Sequence, residues 1–184
     1  DVKPEGGSFE GTVYPDGSIQ DGKFAELARG GWGFIVISSE GKVVAAASGV
    51  PPEWITDIGG AEAWAIYQAA RSAVPGRCRF ISDSLTTVRA LQAGIGACTA
   101  ADKKYARVYR LCCEELDTTP AEDLVWMPAH RARGQVGKCR LSDGTLLTEA
   151  HRDANGRADI LAKAAVETHR VKNEEGEMWQ ASFD

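Results

Sequence analysis

Residues 32–48 have the sequence WGFIVISSEGKVVAAAS, in which two apolar runs flank a short polar segment that contains glycine. Two runs rich in β-branched and apolar residues, joined by such a segment, predict an antiparallel hairpin. A short strand at residues 11–14 precedes the hairpin. We expect it to end at residues 15–18, Pro-Asp-Gly-Ser, because Pro-Asp-Gly is a common turn sequence. The chain therefore opens with three strands that are close in sequence.

The rest of the chain alternates between helical and strand patterns. The expected elements are a helix at residues 60–74 ended by Pro75-Gly76, a strand at 79–82, helices at 84–93 and 103–116, a strand at 124–127, and a helix at 153–167 capped by Asp153. Leading antiparallel strands followed by alternation predict an α/β fold. Its sheet would be mixed and five-stranded, with three antiparallel strands first and parallel strands added, and with helices on its faces.

The composition indicates a single globular domain. The chain has 184 residues, of which 43% are hydrophobic and 26% charged, and no stretch long and apolar enough to cross a membrane. We expect a polar leader at residues 1–10, a domain at 11–170 and an acidic tail at 171–184. Five cysteines without C-x-x-C spacing give no zinc signature. With no export signal at the start, they predict an intracellular location, in the nucleus or the cytoplasm.

Four acidic residues stand at places where a sheet or a helix face could gather them: Asp16, Glu62, Asp83 and Asp159. Each has an ordinary explanation when taken alone. Asp16 suits a turn, Glu62 complements a helix dipole, and Asp83 suits a helix cap. Asp159 suits a solvated helix face. Asp83, however, follows a strand directly, where open α/β sheets place ligands.

Six short motifs occur in order between residues 11 and 166. They are Tyr14-Pro15-Asp16-Gly17-Ser18, Gly31-Trp32-Gly33-Phe34, Ala61-Glu62-Ala63-Trp64-Ala65, Ser82-Asp83-Ser84, Val125-Trp126-Met127-Pro128-Ala129-His130 and Asn155-x-x-Ala158-Asp159-x-Leu161-Ala162. Together they resemble the signature of type 1 ribonuclease H. The resemblance implies a ribonuclease H-like fold for most of the chain.

The resemblance also implies an activity, namely hydrolysis of the RNA strand of RNA–DNA hybrids that leaves 5′-phosphate and 3′-hydroxyl ends. Asp16, Glu62, Asp83 and Asp159 would hold two Mg²⁺ ions, with Mn²⁺ as an alternative. Crowded carboxylates repel one another, and Mg²⁺ prefers hard oxygen ligands of this kind. Two metal ions about 3.5–4 Å apart suit an in-line displacement at phosphorus.

A histidine after the last strand is part of the same resemblance and would assist proton transfer or product release. His130 directly follows the expected strand and is our candidate, with His151 as its rival. Here 28 residues separate His130 from Asp159, more than the family pattern has. The insert, at about residues 131–152, contains a plausible small hairpin at residues 141–146.

The insert also carries most of the expected substrate contacts. Backbone phosphates dominate nucleic-acid affinity, so its basic residues are candidates: Arg131, Arg133, Lys138 and Arg140. Recognition of RNA requires contacts to the 2′-hydroxyl, for which the resemblance suggests Gly17, Ser18 and Gly60.

The formal charge of −5 does not oppose a nucleic-acid partner. Residues 1–10 carry −2 and residues 167–184 carry −3, whereas residues 11–166 have 18 acids and 18 bases. Two bound Mg²⁺ ions would bring this segment to about +4. Two readings compete with a hybrid-cleaving enzyme: a DNA-acting nuclease of the same superfamily, and a non-catalytic hybrid-binding remnant. The leader and insert suggest a domain of a retroelement reverse transcriptase polyprotein, with a stand-alone enzyme as the alternative.

Overall fold

The computed structural model describes residues 2–3, 5–23, 26–129 and 133–169. Three sequence predictions lie outside these residues: His130, Arg131 and the acidic tail at 171–184. Among the described residues, no helix combines the length and apolar character that crossing a membrane requires.

The described residues form five strands and five helices, with short 3₁₀ turns between some of them. The strands are β1 (Phe9–Gln20), β2 (Arg29–Ile37), β3 (Val43–Gly49), β4 (Ala73–Ser82) and β5 (Leu124–Trp126). The helices are α1 (Ile58–Ala70), α2 (Leu85–Gln92), α3 (Ile95–Cys98), α4 (Ala106–Glu115) and α5 (Glu149–Glu167).

The strands make one mixed sheet in the order β3-β2-β1-β4-β5. β1, β2 and β3 are antiparallel neighbours, and β4 and β5 add in parallel on the other side of β1. The predicted fold class is therefore confirmed. Helices α1 and α4 enclose one apolar core on one face of the sheet. Helix α5 and the end of the insert, with Leu141 and Leu147 buried, enclose a second core on the other face.

The predicted end of the first strand at residues 15–18 is wrong, because β1 continues through them to Gln20. Pro15 pairs with Phe34 of β2, and the antiparallel register runs on without a break. The parallel pairing of β1 with β4 reaches only to Val13 and Phe80. Beyond that point β1 has a single strand neighbour, so a proline costs no ladder hydrogen bond on its open side.

Pro75-Gly76 was expected to end the first helix, and this prediction is also wrong. Helix α1 ends at Ala70, and both residues lie inside β4. The register between β1 and β4 shifts here, so that residues 74–77 oppose Glu10 alone. Gly76 has φ of 68°, a conformation that suits glycine, and the bulge leaves Pro75 outside the ladder.

The last helix begins four residues earlier than predicted, at Glu149, and Asp153 is not its cap. The Thr148 hydroxyl accepts a hydrogen bond from the N–H of His151 (3.2 Å), and Nδ1 of His151 accepts one from the N–H of Thr148 (3.1 Å). This reciprocal pair satisfies two N–H groups that a helix start leaves free. A histidine in place of the usual Glu or Gln hid the cap in the sequence.

The insert folds back along β5. Ser142 donates its N–H to the carbonyl of Trp126 (2.9 Å) and accepts from the Trp126 N–H through its hydroxyl (2.8 Å). Arg140 and Leu146 form an isolated β-bridge around a tight turn, as the predicted hairpin at 141–146 requires. Asp143 in this turn forms an ion pair with Arg79 of β4. The insert thus covers the edge of the sheet at β5.

Helix α5 lies very close to β2 because two glycines of β2 face it. A Cβ atom on Gly33 would lie 2.7 Å from Cβ of Leu161 and 2.9 Å from the carbonyl oxygen of Ala158. A Cβ atom on Gly31 would overlap the carbonyl oxygen of Ala162. Glycine is therefore required at both positions for the helix to approach this strand.

We predict that Gly33→Ala lowers the free energy of unfolding by about 1–3 kcal/mol, because helix backbone must move to admit the methyl group. Gly156→Ala is the matched control on α5, since a Cβ atom there meets nothing within 4 Å. It should raise stability by up to about 1 kcal/mol through helix propensity. Denaturant unfolding measures both. Equal stability of the two variants would contradict the close packing.

Candidate functional site

Two acidic side chains lie together because β1 and β4 are parallel neighbours. Val13 of β1 pairs with Phe80 of β4, and three residues after each of them come Asp16 and Asp83, the latter directly after the end of β4. In parallel strands, residues that lie equally far from a paired position remain side by side. Both carboxylates therefore reach the edge of the sheet where the parallel pairing ends. Asp16 is 5% exposed and Asp83 is half-buried.

Helix α1 brings Glu62 to the same place. Asp57 caps the helix by accepting the N–H of Gly60 (3.1 Å), and Glu62 lies at the start of the second helical turn. Gly17 of β1 faces this turn so closely that a Cβ atom would overlap the backbone of Ala61 and Glu62. The N–H of Gly17 donates to Oε2 of Glu62 (3.2 Å), which orients the carboxylate. Helix and strand therefore approach each other at the acidic residue itself.

One carboxylate oxygen from each of Asp16, Glu62 and Asp83 lies within 4.8 Å of the others. In the described part of the chain this is the only group of three or more His, Cys, Asp or Glu side chains with such geometry. Oδ2 of Asp16 is buried and has no hydrogen-bond partner among the described residues. We call these three residues the acidic cluster.

The acidic cluster holds its negative charge at a high electrostatic cost. Burial and, to a smaller extent, the charges of Asp83 and Asp159 together raise the pKa of Asp16 to about 8. Burial raises the pKa of Glu62 well above its ordinary value, helped by the charges of Asp16 and Asp83 and opposed by the Gly17 N–H. Lys163 lowers the pKa of Asp16, but more weakly than these effects.

Asp159 lies beside the acidic cluster rather than in it. It is half-buried, and Oδ2 accepts a hydrogen bond from Nζ of Lys163, one helical turn later (2.8 Å). Its charge still acts on Asp16 and Glu62. The structure thus brings three of the four predicted carboxylates together and places the fourth next to them, with a lysine as its partner.

Asn155 is part of the last sequence motif, but no role was predicted for it from the sequence, and the structure places it against the acidic cluster. Its Nδ2 donates to Oδ2 of Asp83 (3.1 Å), and it is 5% exposed. Asn155 precedes Asp159 by four residues, so both lie on the same face of α5. That spacing was the signal in the sequence that pointed to it.

The acidic cluster suits a divalent cation. All three donors are carboxylates, which are hard ligands of the kind that Mg²⁺, Mn²⁺ and Ca²⁺ prefer. The partnerless Oδ2 of Asp16 and the raised pKa values of Asp16 and Glu62 both mark a place that a positive charge would stabilise. Such a cation would lower the repulsion that the fold imposes.

Of the two candidate histidines, the structure describes only His151. Its ring is half-buried, engaged in the cap of α5, and lies 6.3 Å from the ring of Tyr14 between centroids. Burial lowers the pKa of His151. This ring has a structural partner that a freely moving proton carrier would lack.

The residues predicted to contact the substrate fall into a buried group near β1 and α1 and a group on the insert. Gly17 and Ser18 are buried in β1, and Gly60 is buried beneath Tyr105 with its N–H used by the cap at Asp57. Lys138 and Arg140 are exposed on the insert, and Arg133 begins a 3₁₀ turn there.

No family model and no curated protein matches the chain at a significant level. Solved structures do. The RNase H1 of Halobacterium salinarum is 19% identical with a TM-score of 0.53, over 86% of this chain and 98% of that one. LC11-RNase H1 in complex with RNA/DNA hybrid is 17% identical with a TM-score of 0.51, over 85% and 96%.

The protease-reverse transcriptase of prototype foamy virus is 18% identical with a TM-score of 0.62, over 89% of this chain. This chain spans 21% of that longer protein. These likenesses confirm the fold that the motifs predicted. The sheet order, the flanking helices and the structural neighbours agree: this chain has the ribonuclease H fold.

Proposed function

We propose that this protein is a metal-dependent endoribonuclease that hydrolyses the RNA strand of RNA–DNA hybrids. The products would carry 5′-phosphate and 3′-hydroxyl ends. The observation that carries the proposal is the acidic cluster at the edge of a ribonuclease H sheet, in which Asp16 and Glu62 are buried and Asp83 is half-buried. A protein that only bound hybrid would have no need for three carboxylates that repel one another at this edge.

Asp16, Glu62 and Asp83 would hold the metal, and Asp159 would join them after leaving Lys163. When bound, two Mg²⁺ ions, or Mn²⁺ in their place, would make a water molecule more acidic and stabilise charge on the departing oxygen. The chain's own part is to keep the ligands in place. The Gly17 N–H orients Glu62, and Asp83 is held by its neighbours from β5 and α5.

The proposed substrate is the hybrid because structural neighbours are ribonucleases H, one of them in complex with RNA/DNA hybrid. The exposure of Lys138 and Arg140 supports phosphate binding by the insert. We propose Arg131 and Arg133 as further phosphate contacts on the sequence alone. We assign the 2′-hydroxyl contacts to the backbone around Gly17, Ser18 and Gly60. His130 is proposed as the group that assists proton transfer and product release.

Similarity to one part of a viral protease-reverse transcriptase supports a further proposal about context. We propose that this chain acts as the ribonuclease H domain of a retroelement polyprotein.

The competing interpretation of the activity is a DNA-acting nuclease of the same superfamily. A cleavage assay distinguishes it from an enzyme that cleaves the RNA strand of hybrids.

With Mg²⁺ present, we expect cleavage of the RNA strand of a labelled hybrid, and no cleavage of an RNA duplex, a DNA duplex or single strands. Asp83→Asn should lower the rate about 100-fold or more. The reason is that a metal site supplies several kcal/mol of charge stabilisation, and about 1.4 kcal/mol is a factor of ten. A chelator should abolish the activity.

Asp153→Asn is the matched control, because Asp153 is an exposed acid on the helix that carries Asp159. It should cleave at the wild-type rate. Cleavage of a DNA duplex, or full activity in Asp83→Asn, would refute the proposal.

The two histidine variants should differ in the kind of defect they cause. His130→Ala should lower turnover by about 100-fold, as loss of proton-transfer assistance does. His151→Ala should lower the free energy of unfolding by about 1 kcal/mol, because α5 loses half of its reciprocal cap. Steady-state kinetics and denaturant unfolding of both variants test this. A larger turnover loss in His151→Ala would reverse the assignment.

Stability of the metal-free protein should fall as pH rises. The pKa of Asp16 is raised from 3.8 to about 8, so the unfolded chain loses this proton near pH 4 and the folded chain holds it. The free energy of unfolding should therefore decrease between about pH 4 and pH 8. Asp16→Asn should reduce the decrease by at least about 1 kcal/mol, given about 1.4 kcal/mol per pKa unit.

Saturating Mg²⁺ should largely remove the decrease in the wild-type protein and should matter less in Asp16→Asn. Denaturant unfolding across this pH range, with and without Mg²⁺, makes the comparison. A pH profile that is identical for the two proteins would show that Asp16 ionises normally.

A further inference from the structure

Two buried side-chain atoms in the described part of the chain lack a hydrogen-bond partner. Both are in residues at the acidic cluster, one on β1 and one on α5. They are Oδ2 of Asp16 and Oδ1 of Asn155. The first would be a ligand of a cation held by the acidic cluster. The second belongs to a neutral side chain, and a cation on the acidic cluster does not explain why an amide is there.

The orientation of the Asn155 amide follows from its partner. Oδ2 of Asp83 lies 3.1 Å from the Asn155 nitrogen, and an ionised carboxylate only accepts hydrogen bonds. Turning the amide over would set oxygen against oxygen. The Nδ2 group therefore donates to Asp83, and Oδ1 faces the protein interior without a donor.

Burial of the Asn155 amide with an unpaired Oδ1 lowers the stability of the fold, and the packing around it does not require an amide. Burying an unpaired acceptor costs about 1–3 kcal/mol, and asparagine is also a poorer helix former than alanine. Asn155 is 5% exposed and lies near Ala154 and Ala158, both buried in the core beneath α5. An alanine at 155 would suit the helix better and would remove the unpaired acceptor, so the amide serves Asp83 rather than the fold.

Asp83 is held at two points. Its main-chain carbonyl accepts a hydrogen bond from Nε1 of Trp126 (3.0 Å), and its carboxylate is held by Asn155. The first contact sets where the residue sits, and the second sets how the carboxylate is turned. Because the Asn155 donor is neutral, it does not compete electrostatically with a cation for this carboxylate.

Asp159 differs from Asp83 in the charge of its hydrogen-bond partner. Its partner Lys163 is charged and competes with a cation for the same oxygen. One helix thus presents two kinds of donor to two carboxylates. A neutral amide orients Asp83, whereas an ammonium group neutralises Asp159.

We propose that Asn155 is a positioning residue that holds the carboxylate of Asp83 in its metal-binding orientation. This inference rests on the proposed function, since it requires that the acidic cluster bind a divalent cation. Asn155 itself is not assigned as a metal ligand.

The test is calorimetric titration of metal-free protein with Mg²⁺ alone, in the wild type and in Asn155→Ala. The dissociation constant should rise about tenfold or more, as loss of a hydrogen bond to a metal ligand typically causes. The melting temperature without metal should be unchanged or higher. In cleavage assays, the Mg²⁺ concentration for half-maximal rate should rise, while KM for the hybrid stays the same.

Val108→Ala is the control for general destabilisation, because Val108 is fully buried on α4 in the opposite core. It should melt earlier and bind Mg²⁺ as the wild type does. If it loses as much affinity as Asn155→Ala, the positioning role is overturned. Failure of Asn155→Ala to fold would overturn the claim that the fold does not need the amide.

The Mg²⁺ titrations distinguish failure of the positioning role of Asn155 from failure of the proposed function. If the wild type binds Mg²⁺ and Asn155→Ala binds it equally well, the positioning role fails and the proposed function stands. If the wild type does not bind Mg²⁺ at all, the proposed function fails, and the role of Asn155 fails with it. Asn155→Leu repeats the comparison without leaving a cavity.

Discussion

The parallel pairing of β1 with β4 is the constraint on which the rest of the site depends. It places Asp16 and Asp83 side by side at the edge of the sheet, and α1 adds Glu62 above them. Burial, together with the repulsion among the neighbouring carboxylates, raises the pKa of Asp16 and Glu62. The fold therefore spends stability to build a site for positive charge, as functional sites commonly do.

Glycine makes this crowding possible. Gly17 lets α1 approach β1 until a backbone N–H reaches the carboxylate of Glu62. Gly33 lets α5 approach β2 on the other face, which brings Asn155 and Asp159 to the same edge. At each position a single methyl group would push a helix away from the sheet. The close approach of α1 and α5 to the two faces of the sheet thus sets the positions of the side chains at its edge.

Much of the fold could be predicted from local pattern. The hairpin of β2 and β3 and the helix after Asp83 lie close to where their sequences indicate. The failures share one cause. Pro15 and Pro75-Gly76 have turn-like sequences, yet both lie in strands, because the neighbouring strand is absent at one and displaced by a bulge at the other. Turn propensity describes a few residues, whereas strand pairing depends on partners far along the chain.

By itself, the sequence determined which carboxylates were available, their order along the chain, and the fold that their motifs imply. Only the tertiary structure decided what each one contacts. It separated Asp159, paired with Lys163, from the acidic cluster, and it gave Asp83 the amide of Asn155, 72 residues away. It also engaged His151 in a helix cap. The physical reason is distance along the chain: caps and periodicity act within a few residues, but burial and charge repulsion arise only where remote segments meet.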